Sequence, residues 1–162
     1  MLLKPYVTED VRQNRFYPVT SNEDIHLLGR TLKLRGLGYQ QQDVSVGACA
    51  TNALWCAFHK TSRLFGTKLP SPFNITQSSN IGNVLDEVEN LEMGLTRSNI
   101  SQAIRSLGMR VDRQSRKGKS LGISHEELKR FIYAYGKAQI PVLLGYHFNK
   151  SYHLVTVCGY RI

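Results

Sequence analysis

Apolar residues surround the segment from 48 to 60 on nearly every side, which is typical of a helix buried in a core. The alanines in this segment also favour a helix. A narrower apolar stripe predicts a second helix from Thr96 to Leu107, and Gly108 is suited to end it. Apolar residues also recur near helical spacing between residues 80 and 92. The middle of the chain is therefore predicted to be helical.

The last part of the chain combines one more helix with a hairpin. Ser124 followed by Glu127 forms a capping box, so a helix is predicted to start there and to end at Gly136. Residues 140–146 and 153–160 are β-rich apolar runs separated by a short polar turn, which predicts a hairpin. Helices followed by strands are typical of an α+β domain, and α+β is the predicted fold class.

The N-terminal part gives a weaker pattern, because residues 1–40 show no clear hydrophobic period. Within them, residues 16–19 suggest a short edge strand. The glycines of residues 36–39 suggest a bend. Farther along, the alternation of residues 109–113 predicts another short strand. We therefore expect the N-terminal part to be largely irregular.

The composition narrows the class of protein. A length of 162 residues fits a single domain, and a hydrophobic content of 41% is enough to bury a core. No apolar run approaches the ~20 residues that a membrane-spanning helix needs, and the first residues lack the apolar stretch of an ordinary secretory signal. Three cysteines without CxxC spacing argue against a disulfide framework or a zinc site. We therefore expect a reducing, cytoplasmic location.

Basic residues outnumber acidic ones, which gives a formal net charge of +9. The excess is concentrated between residues 105 and 119, where six bases accompany one acid. Four of these bases, Arg113, Arg116, Lys117 and Lys119, form either a solvated loop or a site for an acidic or phosphate-bearing partner. No aromatic residue lies among them to stack a base, which argues against nucleic acid.

Cys49 is the most informative candidate for chemistry. It follows a polar loop and stands at the first turn of the predicted buried helix. The positive end of the helix dipole stabilises a thiolate at this position, and the thiolate is the nucleophile of acyl-transfer enzymes. The alternative is that Cys49 is a small core residue, as free cysteines in apolar helices often are. Cys56, two turns farther along, is predicted to be such a core residue.

A nucleophilic cysteine needs a base, and His153 is the best candidate. It opens the second strand of the predicted hairpin and shares a face with Val155 and Val157. A histidine at the start of an apolar strand is either an edge residue or a positioned base. His147 lies near the turn and is expected to be exposed. The other histidines, which sit in polar or amphipathic settings without an evident role, are His26, His59 and His125.

The apolar faces of the predicted elements define the expected core. Its members are Leu54, Trp55, Phe58, Ile104, Phe131, Val155 and Val157. Each of them is expected to be buried.

Four separated features combine into one pattern. They are Gln42, the run Gly47-Ala48-Cys49-Ala50, the run from Ile140 to Gly145, and the run from His153 to Tyr160. This combination resembles the papain-like cysteine peptidases, and most closely the bacterial branch that includes the bacteriocin-processing, double-glycine leader peptidases. In that branch a glutamine precedes a cysteine that starts the central helix, and a strand that begins with His and ends in Gly-Tyr follows far downstream.

The resemblance implies a fold and an extent. The chain would be a single papain-like domain over residues 1–162, with a catalytic core at 40–162 and an N-terminal extension at 1–39 that the resemblance does not cover. The helix of Cys49 would pack on a small antiparallel sheet that carries His153. The family usually has an Asp or Asn after the histidine strand to orient the imidazole. This chain has no residue in the matching place, so we expect slow turnover.

The resemblance also implies the catalytic roles. Cys49 would attack the scissile carbonyl, and His153 would hold the thiolate as an ion pair and protonate the leaving amine. Gln42 would stabilise the oxyanion together with the main-chain N–H of Cys49. Because Gln42 is one position farther from the cysteine than is usual, Gln41 is the alternative helper. No cofactor or metal is implied.

The function predicted in this way is a thiol peptidase that acts on peptide or protein substrates. Two other functions stay open. The chain could be a related Cys-His enzyme that transfers acyl or amide groups. It could also be a catalytically impaired papain-like domain that binds a peptide or protein partner.

Overall fold

The computed structural model describes residues 2–3, 14–40, 49–79, 95–114, 123–148 and 151–162. Within these residues it is a mixed α+β fold, which confirms the predicted class. The strands are β1 (Leu2–Leu3), β2 (Arg15–Phe16), β3 (Ser21–Leu27), β4 (Arg30–Gly38), β5 (Val142–Phe148), β6 (Ser151–Val157) and β7 (Tyr160–Arg161). The helices are α1 (Cys49–Phe65), α2 (Pro72–Ser79), α3 (Arg97–Ser106) and α4 (His125–Lys137). All strand pairs are antiparallel, in the arrangements β1-β4-β3, β2-β7 and β5-β6.

Helix α1 is the centre of the packing, as its nearly uniform apolar character predicts. Ala53, Leu54 and Phe58 are buried in one cluster with Ile75 of α2 and Leu154 of β6. Removing this apolar surface from water is the main source of stability for the helix. Cys56 is buried on another side of α1, which confirms its predicted place in the core.

The β5–β6 hairpin lies between two helices. Its Leu154 packs into the cluster around α1, so one face of the hairpin meets that helix. On the other face, Val142 and Val157 line a small space together with Ile132 and Gly136 of α4. The hairpin was expected from the sequence, and each of its faces is now assigned to a particular helix.

The expectation of an irregular N-terminal part is wrong. Residues 21–38 form the β3–β4 hairpin, in which Ser21 pairs with Gly36, and the expected bend at 36–39 lies largely inside β4. The reason is that residues 26–33 are exposed on both faces of the hairpin. Without a buried face, the strand residues show no alternation of apolar and polar side chains. Strands therefore precede the helices in this chain as well as following them.

The N-terminal residues are tied to both α1 and the last strand. Phe16 of β2 pairs with Tyr160 of β7, and their rings stack at a centroid distance of 5.5 Å. Val19 is buried beside Leu37 and Cys56. Of the edge strand expected at 16–19, only Phe16 lies in a strand, β2. These contacts make residues 14–40 part of the same packed structure as α1.

The capping box predicted at Ser124 is present, and α3 has one that was not predicted. Thr96 caps α3, with Asn99 completing the capping box, and Ser124 caps α4 with Glu127. Gly108 follows α3 with φ of 76°, the left-handed conformation expected of a glycine that ends a helix. The strand predicted at 109–113 is absent, because no neighbouring strand pairs with these residues in the described part of the chain. The helix predicted at 80–92 lies outside the described residues.

Gly136 does not end α4 as predicted, since the helix continues to Lys137. Instead Gly136 allows a close approach between elements. A Cβ atom at this position would lie 3.0 Å from the ring of Tyr160 and 3.6 Å from Pro18. The glycine therefore serves the contact of α4 with the N-terminal segment and β7.

The predicted core is only partly confirmed. Leu54 and Phe58 are buried, with 0% and 3% of their surfaces exposed. Val155 is 37% exposed, so its predicted burial is wrong. Its face of the hairpin is covered by α4 only near Val142 and Val157. The predicted core residues that are partly buried are Trp55, Ile104, Phe131 and Val157.

Candidate functional site around Cys49

Cys49 is the first residue of α1 and is half-buried. Its Sγ lies 4.0 Å from the main-chain oxygen of Tyr152, the residue before His153. The first turn of α1 contains no acidic residue. The positive end of the helix dipole at Cys49 is therefore not opposed by a carboxylate from its own helix turn.

A second contact fixes α1 against β6. The hydroxyl of Thr156 donates a hydrogen bond of 2.6 Å to the main-chain oxygen of Ala53. Leu154, between the two contact points on the strand, is buried against the same helix. The start of α1 is therefore held beside the start of β6 by one sulfur contact, one hydrogen bond and apolar packing.

His153 is partly buried on β6, opposite Tyr146 of β5. The two rings are tilted, with centroids 5.9 Å apart. By strand alternation, the imidazole stands on the face opposite to Leu154 and Thr156. Strand carbonyls point along the sheet rather than out of its faces, so the contact of Cys49 with Tyr152 lies toward the rim of the strand. The structure thus brings the Cys49 sulfur to the peptide that joins Tyr152 to His153.

Tyr152 lies beside the sulfur through its main-chain oxygen, and its ring in turn meets Arg97, a pair that no sequence motif indicated. The Arg97 guanidinium carbon lies 5.9 Å from the centre of the Tyr152 ring, within range of a cation–π contact. The Tyr152 ring crosses the strand pair over Gly145, where a Cβ atom would collide with its hydroxyl. The signal that could have indicated this packing is a glycine inside an otherwise apolar strand.

The three cysteines, Cys49, Cys56 and Cys158, are free thiols. Burial raises the pKa of the Cys56 thiol and likewise that of Cys158. Their neutral forms are therefore favoured at neutral pH, and a neutral thiol is a poor nucleophile.

The remaining predicted site residues fall into two groups. Gln42, the predicted oxyanion helper, and its alternative Gln41 lie outside the described residues. Of the basic group, only Arg113 is described, and its guanidinium donates to the main-chain oxygen of Arg97 at 3.2 Å and to the hydroxyl of Ser101. Arg113 is thus attached to α3 beside the residue that contacts Tyr152. The members of the basic group outside the described residues are Arg116, Lys117 and Lys119.

His59 has a more distinctive environment than its sequence context indicates. Its Nδ1 lies 3.8 Å from Oε1 of Glu23, and both atoms are buried without a hydrogen-bond partner. The other oxygen of Glu23 accepts from Arg63 at 2.5 Å. Burial lowers the pKa of His59, although Glu23 acts in the opposite direction. This cluster joins α1 to β3, on residues distinct from those around Cys49.

Metal binding and membrane spanning can be assessed in the described residues. They contain no group of three or more His, Cys, Asp or Glu side chains arranged to hold a metal ion. Among them, no helix combines the length and apolar character needed to cross a membrane.

No family model, curated protein or solved structure matches this chain. Its function is therefore inferred from the groups around Cys49. They are a thiol at a helix N-terminus, the main-chain oxygen of Tyr152 beside it, and a histidine on the same strand as Tyr152.

Proposed function

We propose that this chain is a papain-like thiol peptidase in which Cys49 is the nucleophile and His153 the acid–base group. The observation that carries the proposal is the 4.0 Å distance from the Cys49 sulfur to the main-chain oxygen of Tyr152, which is bonded through its peptide to His153. A thiol at the first position of a helix, beside a strand that supplies a histidine, is the arrangement that the sequence resemblance implies.

The proposed reaction has two steps. The Cys49 thiolate attacks the carbonyl carbon of a peptide bond, and protonated His153 gives its proton to the departing amine. Water then attacks the thioester, with His153 accepting its proton, and releases the acid product and the free thiol. A Cys-His pair needs no metal for these steps.

The oxyanion of each tetrahedral intermediate requires hydrogen-bond donors. As the first residue of α1, Cys49 has a main-chain N–H without an acceptor inside the helix. This group is suited to donate to an oxygen on the carbon under attack. Gln42 would supply the second donor, as the resemblance implies.

Fluorescein-labelled casein is the substrate for the first test. We expect Cys49→Ala to lower its cleavage by at least roughly 1,000-fold, because loss of a covalent nucleophile removes the whole acyl-enzyme route. Cys158→Ala is the matched control and should retain activity. Equal cleavage by the wild type and Cys49→Ala would refute the proposal.

Added amines distinguish hydrolysis from transfer. With a peptide ester as substrate and glycinamide in the solution, a peptidase forms mainly the free acid. Predominant formation of the glycinamide adduct would instead identify an acyl transferase. A chain that binds casein but forms neither product, and whose Cys49 is not alkylated faster than Cys56 and Cys158, would be a binding domain.

A further inference from the structure

The β3–β4 hairpin ends in an exposed apolar tip made of Leu27, Leu28 and Leu32. Their exposed fractions are 57%, 95% and 48%. Every residue from 26 to 33 is exposed, so the tip projects from the rest of the fold. Leu28 thus leaves nearly all of its apolar surface in water, where it gains nothing from folding.

Leu28 also has an unfavourable backbone conformation. Leu27 pairs with Arg30, so Leu28 and Gly29 form a two-residue turn, with φ of 49° and 74°. Such turns favour Asn, Asp or Gly at the first position, since other side chains collide with the backbone in the left-handed region. Leu28 is therefore unfavourable both in the exposure of its apolar side chain to water and in its backbone conformation. Departures of this kind concentrate at functional positions.

Positive charge accompanies the leucines. Residues 25–33 contain two bases, Arg30 and Lys33, and no acid, while the exposed Asp24 stands opposite Lys33 in the hairpin. Both bases are exposed. Arg30 lies next to the turn and Lys33 follows Leu32 on the same strand. Arg30, opposite Leu27 in the register, is thus the cation next to the apolar tip.

We propose that the β3–β4 tip attaches the protein to an anionic lipid membrane. Leu27 and Leu28 enter the boundary of the acyl chains, and Arg30 meets a lipid phosphate. A two-residue turn is narrow and convex, so a fluid bilayer accommodates it without a preformed groove. The formal net charge of +9 adds long-range attraction to an anionic surface. The attachment is peripheral and reversible, and it does not depend on the chemistry of Cys49.

Sedimentation with vesicles tests the attachment. We expect the wild type to bind vesicles of phosphatidylcholine and phosphatidylserine, to bind pure phosphatidylcholine much less, and to lose binding as salt increases. Leu28→Asn should lower the partition into the anionic vesicles by at least about tenfold. Asparagine tolerates the left-handed conformation, so this variant should keep its melting temperature. Phe73→Asn, at a position 72% exposed on α2, is the matched control and should bind like the wild type.

A spectroscopic variant locates the inserted residues. The chain has one tryptophan, Trp55, so Leu27→Trp adds a single reporter at the tip. We expect its emission to shift to the blue with anionic vesicles, while the wild-type emission stays unchanged. The proposal would be overturned if the emission of Leu27→Trp did not shift with anionic vesicles. It would also be overturned if Leu28→Asn and the wild type bound the vesicles equally. A dimer in light scattering that Leu28→Asn dissociates would also overturn it, because a second copy would then cover the tip.

Discussion

The ammonium of Lys60 donates a hydrogen bond of 2.9 Å to the main-chain oxygen of Thr20. Both residues are buried, and Lys60 also donates to the side-chain oxygen of Gln139 at 3.0 Å. Burial lowers the pKa of Lys60, and the nearby Arg35 lowers it further. One buried lysine on α1 therefore connects the N-terminal segment to the residues that follow α4.

Lys60→Met should lower the free energy of unfolding by about 1–3 kcal/mol, because it leaves the buried oxygen of Thr20 without a donor. Chemical denaturation measures the change. Lys68→Met is the matched control, since Lys68 is exposed and its loss should have little effect. A Lys60→Met variant as stable as the wild type would mean that the cost of burying the ammonium equals the gain from its hydrogen bonds.

Cys49 should react with iodoacetamide well before Cys56 or Cys158. Burial raises the pKa values of the Cys56 and Cys158 thiols, which disfavours their thiolates, while Cys49 stands at a helix N-terminus. Limited labelling at pH 7.5 followed by peptide mass mapping gives the order of modification. Equal labelling of all three thiols in the folded protein would argue against an activated Cys49.

His153→Gln should slow the alkylation of Cys49 at neutral pH. In the proposed mechanism the imidazolium of His153 stabilises the thiolate, and an ion pair worth about 1.4 kcal/mol corresponds to about a tenfold change in rate. His147→Gln is the control, because His147 is exposed on the neighbouring strand of the same hairpin. An unchanged alkylation rate in His153→Gln would remove His153 from the proposed mechanism.

Stability should decrease as the pH falls below about 7, because of His59. Burial holds the pKa of His59 in the folded chain below its ordinary value of 6.5, against the opposing effect of Glu23. The unfolded chain therefore binds more protons in this range, and acid favours unfolding until the pH passes below the folded pKa. Denaturation at pH 7.5 and 5.5 measures the loss of stability. His59→Gln should show a smaller loss than the wild type, and an equal loss would assign the dependence to other groups.

Local sequence patterns were sufficient for the elements whose determinants lie within a few residues of each other. The capping box at Ser124 is an example, since the cap hydrogen-bonds to a residue three positions away. The buried helix of Cys49 was predictable because apolar residues surround it. The β5–β6 hairpin was predictable because two apolar runs flank a short polar turn.

The β3–β4 hairpin could not be predicted from such patterns, because its outer half is exposed on both faces and has no buried period. Gly136 shows a second reason why sequence patterns were insufficient. Glycine is suited both to ending a helix and to close packing, and only the position of Tyr160 in the fold distinguishes the two roles.

The sequence by itself determined the kinds of groups available for chemistry, a cysteine at a helix start and a histidine on a late strand. It could not determine the surroundings of the sulfur, because Cys49 and Tyr152 are 103 positions apart. Contacts over such distances form when apolar faces pack, here α1 against β6 through Leu154. Tertiary packing alone therefore placed Tyr152 beside Cys49, brought Arg97 over its ring, and left Leu28 in water.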